Sequence, residues 1–265
     1  MSISSFTSRL TLAFSLSSLM ALLAVGHAYA LEEDRDVPRM VSFGGMCANC
    51  ELSGRKLTGA RFMGANFAGA ALVGSDLRGA SFFGSNFSGA DLTRADLRGA
   101  SMTGATFLAA NFQEATLDGL QAKGANFSNS NIARARFEAS DMQGASFTNV
   151  NARNASFANA SLLGVNFSGG DFDHASFKDA NLAGSNLSGA QLAGADFRGA
   201  TLTHTAFNGA DLSSARGITQ SQMDEACTDG STRLPSGITG HACKGPRVVI
   251  MRPPHPPMPP APPAH

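Results

Sequence analysis

Large apolar residues recur at every fifth position over most of this chain. Counting in steps of five from Leu52 to Leu212 gives 33 positions, of which 31 hold Phe, Leu, Met or Ile. The residue two places earlier is usually Ala or Ser, and Gly stands two places later in 20 of the 33 units. An amphipathic helix repeats at about 3.6 residues and a half-buried strand at about 2, so neither produces this period. A fixed period of five predicts a solenoid, in which stacked copies of a short unit share one core.

Apolar side chains that stand four units, or twenty residues, apart are matched in size to one another. The column from 67 to 207 holds Phe at seven of its eight positions, and the column from 57 to 197 changes from four Leu to four Phe. Stacked side chains of equal size nest closely, so this matching predicts coils of four units each. The 33 units then make about eight coils of square cross-section. With about 4.8 Å between neighbouring coils, the rod is roughly 40 Å long.

Each position in the unit has a predicted role. The large apolar residue fills the axis, and the small residue two places before it also faces inward. Gly stands at the corner, where a positive φ is unfavourable for residues with a Cβ, and the Asn residues found at several corners meet the same demand. Only Ala122 and Ala152 are small at the central position, and the inward residues before them, Leu120 and Val150, are larger than usual. In these two units, the larger side chain two places before the centre is therefore predicted to fill the space that the small central residue leaves.

The unit Ala125-Asn126-Phe127-Ser128-Asn129 is typical of the repeat. It resembles the motif of the pentapeptide-repeat family, which is a small residue, Asp or Asn, Leu or Phe, and two variable positions. The resemblance covers residues 50–214 and implies an all-β fold, a right-handed quadrilateral β-helix. The segment 215–227 followed by Thr232-Arg233-Leu234-Pro235 is similar to an ending seen in many bacterial members. The family implies little about function; the exceptions are fluoroquinolone-resistance proteins, which mimic DNA and bind gyrase.

Residues 1–30 have the features of a secretory signal peptide. An apolar run at 10–25 is rich in Ser, and Ala28-Tyr29-Ala30 places small residues at the two positions that a signal peptidase reads. We predict cleavage after Ala30, export to the periplasm or the extracellular space, and no membrane span in the mature chain. The alternative is an uncleaved anchor, for which the apolar run is short. Residues 31–49 are predicted to form a lead-in that caps the first coil.

A short helix is predicted at the other end of the repeat, within a cap of residues 215–246. Thr219 can serve as its N-cap and Gln222 stands three residues later, which is the pattern of a capping box. Met223 and Ala226 would cover the last coil. Residues 247–265 contain 8 of the 11 Pro residues and predict a disordered polyproline tail. The alternative is a spacer or a ligand for an aromatic groove.

The four cysteines lie near the two ends of the repeat. Cys47 and Cys50 form a C-x-x-C pattern, for which three interpretations stay open: core filler or a local disulfide, a redox pair, or a metal site. A redox pair typically lies in a βα context and a metal site needs further ligands, and the neighbouring sequence offers neither. Cys227 and Cys243 are predicted to form a disulfide that ties the C-terminal segment to the cap.

Charge and composition bear on function mainly by exclusion. The 33 units hold 13 acidic and 12 basic residues, which disfavours both a nucleic-acid binder and an acidic DNA mimic. His174 and His204 occupy separate corners, and the Asp residues before the apolar positions belong to the repeat, so no catalytic constellation is predicted. We therefore expect a protein that is not an enzyme and that needs no cofactor or metal. A DNA mimic and a thiol redox protein are the alternatives.

One predicted face of the rod carries no charge. None of the eight units with apolar positions from 67 to 207 contains Asp, Glu, Lys or Arg, whereas the face with apolar positions from 57 to 197, which we expect to adjoin it, is rich in them. Before the apolar residues, the uncharged face presents a column of amides: Asn66, Asn86, Asn126, Asn166 and Asn186. These amides could simply bond to one another along the rod. Our hypothesis is instead that this flat face docks an unidentified protein or envelope component, or a second copy as a homodimer; no nucleic acid is expected.

Overall fold

A computed structural model of the chain describes residues 45–242. The predicted signal peptide, residues 31–44 of the lead-in, Cys243 and the Pro-rich tail lie outside these residues. The regular elements of the described part are two strands, β1 (Arg61–Met63) and β2 (Ser81–Phe83), and one helix, α1 (Gln220–Glu225). β1 and β2 pair in parallel, with Arg61 opposite Ser81. No helix within 45–242 is long and apolar enough to cross a membrane.

Parallel bridges between successive layers connect the rest of the repeat. They run in four series, which begin at Met46–Asn66, Glu51–Ala71, Lys56–Asp76 and Arg61–Ser81. The displacement from layer to layer is thus the predicted coil of four units. Most bridges are a single residue long, because the corner turns take up the rest of each side. The β-helix is therefore built mainly from ladders of isolated bridges, and among the described residues longer strands are confined to β1 and β2.

Four flat faces result from this stacking, and we number them in chain order. Faces I, II, III and IV carry the units centred on Phe67, Leu72, Leu77 and Phe82, and each face continues at every twentieth residue in both directions. Face I adjoins face II at one edge and face IV at the other.

The predicted docking surface is face I, and the charge-rich surface is face III. The expectation that these two faces adjoin is wrong. Their units stand two apart along the chain, as Phe67 and Leu77 do, and two units are half of a four-unit coil. Face III therefore lies on the opposite side of the rod from face I.

Backbone hydrogen bonds join each coil to both of its neighbours. The backbone N–H of Phe127 donates to the carbonyl of Ser146 in the following coil at 2.7 Å. The N–H of Asn126 donates to the carbonyl of Ala105 in the preceding coil at 3.0 Å. Because this pattern repeats along the rod, the backbone polar groups are satisfied in the direction of its axis.

Phe and Leu side chains fill the axis of the rod. Every central side chain from Leu52 to Leu212 is at most 2% exposed. Along face I the Phe rings stack with centroids 4.6–5.4 Å apart. Leu120 and Val150 are buried, and so are Ala122 and Ala152. The predicted exchange of volume between the two inward positions is thus confirmed.

The corners from Gly54 to Gly209 adopt a positive φ, as predicted, and they hold both Gly and residues with a side chain. A hydrogen bond closes the turn at most corners; the N–H of Ser130, for example, donates to the carbonyl of Phe127 at 3.1 Å. At Gly199 a second constraint is steric, because a Cβ there would overlap the carboxylate of Asp179 in the preceding coil. A side chain that folds over the next corner therefore requires Gly at that corner.

The short helix and its capping box after the last coil form as predicted. The side chain of Thr219 accepts the backbone N–H of Gln222, and the side chain of Gln222 accepts the backbone N–H of Thr219, which completes the capping box. The Gln222 amide also donates to the carbonyl oxygens of Phe197 (3.0 Å) and Ala200 (2.9 Å) in the last coil. Met223 is fully buried. The helix thus covers the apolar core and binds backbone acceptors at the end of the rod.

Candidate functional site

Face I holds the predicted docking residues in one column. The five Asn residues occupy the bridging position before a buried Phe or Leu, and all five are half-buried. They are Asn66, Asn86, Asn126, Asn166 and Asn186. Thr106 and Ser146 stand between them in the same column. The structure therefore brings all five amides onto one face, as two neighbouring pairs and the single residue Asn126.

The amides of face I are held in place by their own backbone. In each of the five residues, Oδ1 accepts the backbone N–H two residues further on, at 2.9–3.1 Å. The hydroxyls of Ser88 and Ser188 donate to the same Oδ1 atoms as the neighbouring N–H groups. These bonds fix the side-chain rotamers in the free protein, so that docking would cost little additional side-chain entropy.

A continuous amide ladder does not form on face I. The Nδ2 of Asn86 donates to Oδ1 of Asn66 at 3.2 Å, and that of Asn186 donates to Asn166 at 3.4 Å. Between these pairs, Thr106 and Ser146 interrupt the column. Among residues 45–242, no hydrogen bond uses the Nδ2 of Asn126. The amide donors of this face are therefore only partly used within the fold and are available to a ligand.

The longest amide ladder lies on face II, where the sequence reasoning did not place one. It runs over four coils through the residues Asn151, Asn131, Asn111 and Asp91. Asn151 donates through Nδ2 to Oδ1 of Asn131 at 3.1 Å, and Asn131 donates in the same way to Asn111 at 3.0 Å. Asn111 in turn donates to Oδ1 of Asp91 at 3.3 Å. The recurrence of Asn at every twentieth position was the signal that could have predicted this ladder from the sequence.

Face III carries charges that are paired within the rod. Three Arg residues each bind the Asp two places earlier: the pairs are Asp76–Arg78, Asp96–Arg98 and Asp196–Arg198. In the second pair, Nε and a terminal nitrogen of Arg98 donate to the two carboxylate oxygens at 2.8 and 2.6 Å. These hydrogen bonds lower the pKa of Asp96 and raise the pKa of Arg98. The carboxylates of this face are thus largely neutralised by their own neighbours.

Cys47, Cys50 and Cys227 lie at the ends of the rod, as the sequence predicts. Cys47 and Cys50 form a disulfide, and Cys47 occupies a central core position with 2% exposure. Cys227 is also disulfide-bonded, whereas Cys243 lies outside the described residues, so their pairing with each other stays a prediction. Burial of the Cys47 sulfur favours a structural bridge over a redox pair, which needs an accessible thiolate.

An open cleft of about 620 Å³ lies between the last coil and the cap. Its lining residues are Thr203, His204, Ala206, Asp224, Glu225, Ala226, Cys227 and His241. The hydroxyl of Thr203 donates to the carboxylate of Glu225 at 2.6 Å, which ties the two sides of the cleft together. Over residues 45–242, no group of three or more His, Cys, Asp or Glu side chains is placed to hold a metal ion. The cleft therefore offers no chemistry that outweighs the flat faces as a candidate site.

Two protein-family models, both of pentapeptide repeats, match this chain. "Pentapeptide repeats (8 copies)" matches residues 47–84 and 72–107, and "Pentapeptide repeat region" matches residues 90–167 and 150–226. Together the matches extend from 47 to 226, which is more than half of the 265 residues. No curated protein matches the sequence.

Several solved structures are similar to this chain. HetL, a pentapeptide repeat protein involved in heterocyst differentiation regulation from the cyanobacterium Nostoc, is 24% identical, with a TM-score of 0.64 over 84% of this chain and 98% of HetL. QnrB1, a plasmid-mediated fluoroquinolone resistance protein, is 22% identical, with a TM-score of 0.30 over 72% of this chain and 91% of QnrB1. A pentapeptide repeat protein from the Arabidopsis thaliana thylakoid lumen is 21% identical, with a TM-score of 0.14 over 68% and 82% of the two chains. The likeness to HetL shows the fold.

Proposed function

The chain belongs to the pentapeptide-repeat family, and on this premise we propose that it is a non-catalytic exported binding protein that docks a cell-envelope partner through face I. Its coil is then right-handed and quadrilateral, as in that family. The observation that carries the proposal is the absence of charge from all eight units of face I, while the opposite face III carries several Asp–Arg pairs. Charge is thus excluded from one side of the rod.

The chemistry of face I suits an uncharged polar partner. Fixed amides and hydroxyls, such as those of Asn126 and Ser128, recur from coil to coil and can donate and accept hydrogen bonds. Covering such groups costs less than covering charged ones, because a desolvated charge needs a well-placed partner. Leu108, which is 40% exposed on the same face, adds apolar contact area. A protein surface or a cell-wall polymer offers the matching groups.

The two alternative functions have less support in the distribution of side chains. A DNA mimic needs a surface of unpaired carboxylates, whereas the 33 units hold 13 acidic and 12 basic residues, and many of the acidic ones bind Arg. A thiol redox pair has an accessible attacking cysteine, whereas Cys47 is buried and Cys50 is half-buried. Both comparisons favour docking through a neutral face.

Export is tested by the mature N-terminus and the compartment of the protein in its native cells. The proposal expects a chain that begins at Leu31 in an envelope or extracellular fraction, because the apolar run before Ala30 is read as a cleavable signal. An intact Met1 in the cytoplasm would overturn the proposed export and return the DNA mimic to first consideration. A cleaved protein in the envelope would justify a search for partners there.

A further inference from the structure

The edge between faces II and III carries large side chains at positions where Gly is common elsewhere. Five consecutive coils place Arg94, Glu114, Arg134, Asn154 and His174 at this corner, each with a φ of 56–61°. We call these five residues the ridge. On the diagonally opposite edge, between faces IV and I, seven consecutive coils from 64 to 184 hold Gly. The ridge is therefore a local departure from the pattern that suits the backbone best.

Holding these side chains at a positive φ is unfavourable for the fold. The left-handed region strains residues with a Cβ, and Arg and Glu lack the local hydrogen bonds that help Asn to adopt it. All five side chains are exposed. Arg134 pairs with Glu114 at 3.1 Å, but their side chains are 63% and 41% exposed, and such surface pairs contribute little. Strained residues that the fold itself does not need favour a role in contact with another molecule.

Face II, beside the ridge, is a flat surface with a defined order of groups. The ladder from Asp91 through Asn111 and Asn131 to Asn151 holds one carboxylate and three amides in a fixed column. A partner for this surface must oppose the alternating charges of the ridge and present amides or carboxylates to the ladder. A second copy of the same surface, turned end for end, presents those groups in the required order.

We propose that face II and the ridge form a homodimer interface in which two rods pack antiparallel. A two-fold axis that crosses the rod between the coils of Glu114 and Arg134 places Glu114 opposite Arg134 of the partner subunit, and the reverse. The same rotation places Asp91 opposite Asn151 of the partner subunit, and Asn111 opposite Asn131 of the partner subunit. The contact is isologous, and Glu114, Arg134 and Asp91 each meet an opposite charge or an amide. Asp171 and Arg153, which pair with each other within one chain, meet Ala71 and Thr93 of the partner subunit.

In the two neighbouring registers of the proposed dimer, like charges would meet across the interface. With the axis through the coil of Arg134, this residue opposes Arg134 of the partner subunit, and Asp91 opposes Asp171 of the partner subunit. With the axis through the coil of Glu114, this residue opposes Glu114 of the partner subunit, and Arg94 opposes Arg134 of the partner subunit. Like charges in contact are unfavourable and act against the wrong arrangement. The order of charges along the ridge thus favours a register between these two.

The proposed dimer has a consequence for face I. Because the axis lies across the rods, each edge of face II lies beside the same edge in the other copy. Face I adjoins one of these edges, so the two copies of face I lie on the same side of the dimer. A partner would then meet an uncharged surface of twice the width, and a partner with two linked binding segments could engage both halves at once.

Sedimentation equilibrium of the chain isolated from its native cells tests the dimer. The expected mass is that of two chains, and the single variants Glu114→Arg and Arg134→Glu should each sediment as monomers, because like charges then meet across the axis. An equimolar mixture of the two variants should recover a heterodimer, in which opposite charges meet again. The bond between 114 and 134 within each chain stays broken in the mixture, so it does not explain the recovery.

Two controls separate loss of the dimer from loss of folding. Lys123→Glu breaks a similar exposed pair with Asp141 (3.0 Å) on face IV and should leave the dimer intact. Arg134→Gly and Arg134→Ala should both be monomers. The Tm of the Gly variant should be about 2–4 °C higher than that of the Ala variant, because Gly relieves the strain of a positive φ at this corner. A monomeric unaltered chain, dimeric charge-reversal variants, or a mixture that stays monomeric would each overturn the proposal.

Discussion

The ring of Phe147 stacks on the ring of Phe127 in the preceding coil, with centroids 4.6 Å apart and planes 7° from parallel. The ring of Phe127 also meets that of Phe137, from face III, edge on at a centroid distance of 6.0 Å. Stacked contacts thus run along one face of the rod, and edge contacts cross its core. The ring of Phe127 therefore contacts both the following coil and the opposite face of the rod.

Replacing Phe127 with Ala should lower the free energy of unfolding by about 3–5 kcal/mol, because the change opens a cavity in a closely packed column. Equilibrium denaturation measures this loss. Asn126→Ala is the matched control: the adjacent residue is half-buried, and the change removes one hydrogen bond to the N–H of Ser128, at a cost of about 0.5–1.5 kcal/mol. Similar losses for the two variants would show that the inward and outward positions are assigned wrongly.

The corners between faces III and IV offer a test of backbone strain alone. Ala139 has a φ of 54°, so Ala139→Gly should stabilise the protein by about 1 kcal/mol. Gly99 has a φ of 65° in the same column, and a Cβ at this position would have no other atom within 4 Å, so Gly99→Ala should destabilise by a similar amount through strain. Thermal unfolding measures both. Two shifts of the same sign would contradict the predicted role of the corner.

Asp229 makes the stability of the cap depend on pH. The hydroxyl of Ser231 and the backbone N–H of Gly209 donate to its carboxylate and lower its pKa to about 2. Because the pKa of Asp in an unfolded chain is about 3.9, this group stabilises the fold above that pH, and its contribution is lost as the pH falls towards 2. We expect the Tm of the unaltered protein to fall between about pH 4 and pH 2, and to fall less in Asp229→Asn.

A second variant separates the charge of Asp229 from its hydrogen bonds. Ser231→Ala keeps the carboxylate but removes the side-chain donor that contributes most to the lowered pKa. Its Tm should therefore fall with a slope between those of the unaltered protein and Asp229→Asn. Parallel curves for all three proteins would contradict the link between this carboxylate and the stability of the cap.

Gln222 is expected to hold the cap through two separable sets of bonds. Gln222→Ala removes both the capping box and the bonds to the carbonyls of Phe197 and Ala200, and should lower the free energy of unfolding by about 1–3 kcal/mol. Gln222→Glu keeps an acceptor for the N–H of Thr219, but when it is ionised it turns a carboxylate oxygen towards the two carbonyls. Its loss, measured by chemical denaturation at neutral pH, should therefore be at least as large as that of the Ala variant, and a clearly smaller loss would show that the two carbonyl bonds contribute little.

The coil, the corners and the cap could be predicted because each follows from a local rule repeated many times. A period of five and columns of matched size at every fourth unit leave few ways to stack the chain, and Thr219 with Gln222 is a local capping pattern. The regular strands were harder to predict. On most sides of the square, the residues that follow the bridge belong to the corner turn. Within the described part of the chain, only Arg61–Met63 and Ser81–Phe83 therefore form longer strands.

The candidate sites could be predicted only in part. The sequence shows which residues share a column, but side-chain rotamers decide whether neighbouring amides bond to one another. Asn111 and Asn131 form such a bond on face II, whereas Asn126 on face I has Thr106 and Ser146 as its neighbours in the column and bonds to its own backbone. The choice between a disulfide and a free pair at Cys47 and Cys50 likewise depended on geometry that the spacing alone does not give.

Docking of an envelope partner on face I can be tested by site-specific photo-cross-linking in the native cells. The photoreactive residue is placed at Ser128 on face I or at Ala158, the half-buried equivalent position on face III. We expect a discrete adduct in the envelope fraction from position 128, none from position 158, and loss of the adduct when Asn126→Lys and Asn166→Lys are added. The same adducts from both positions, no adduct from position 128, or an adduct that survives the two Lys substitutions would show that face I is not the docking surface.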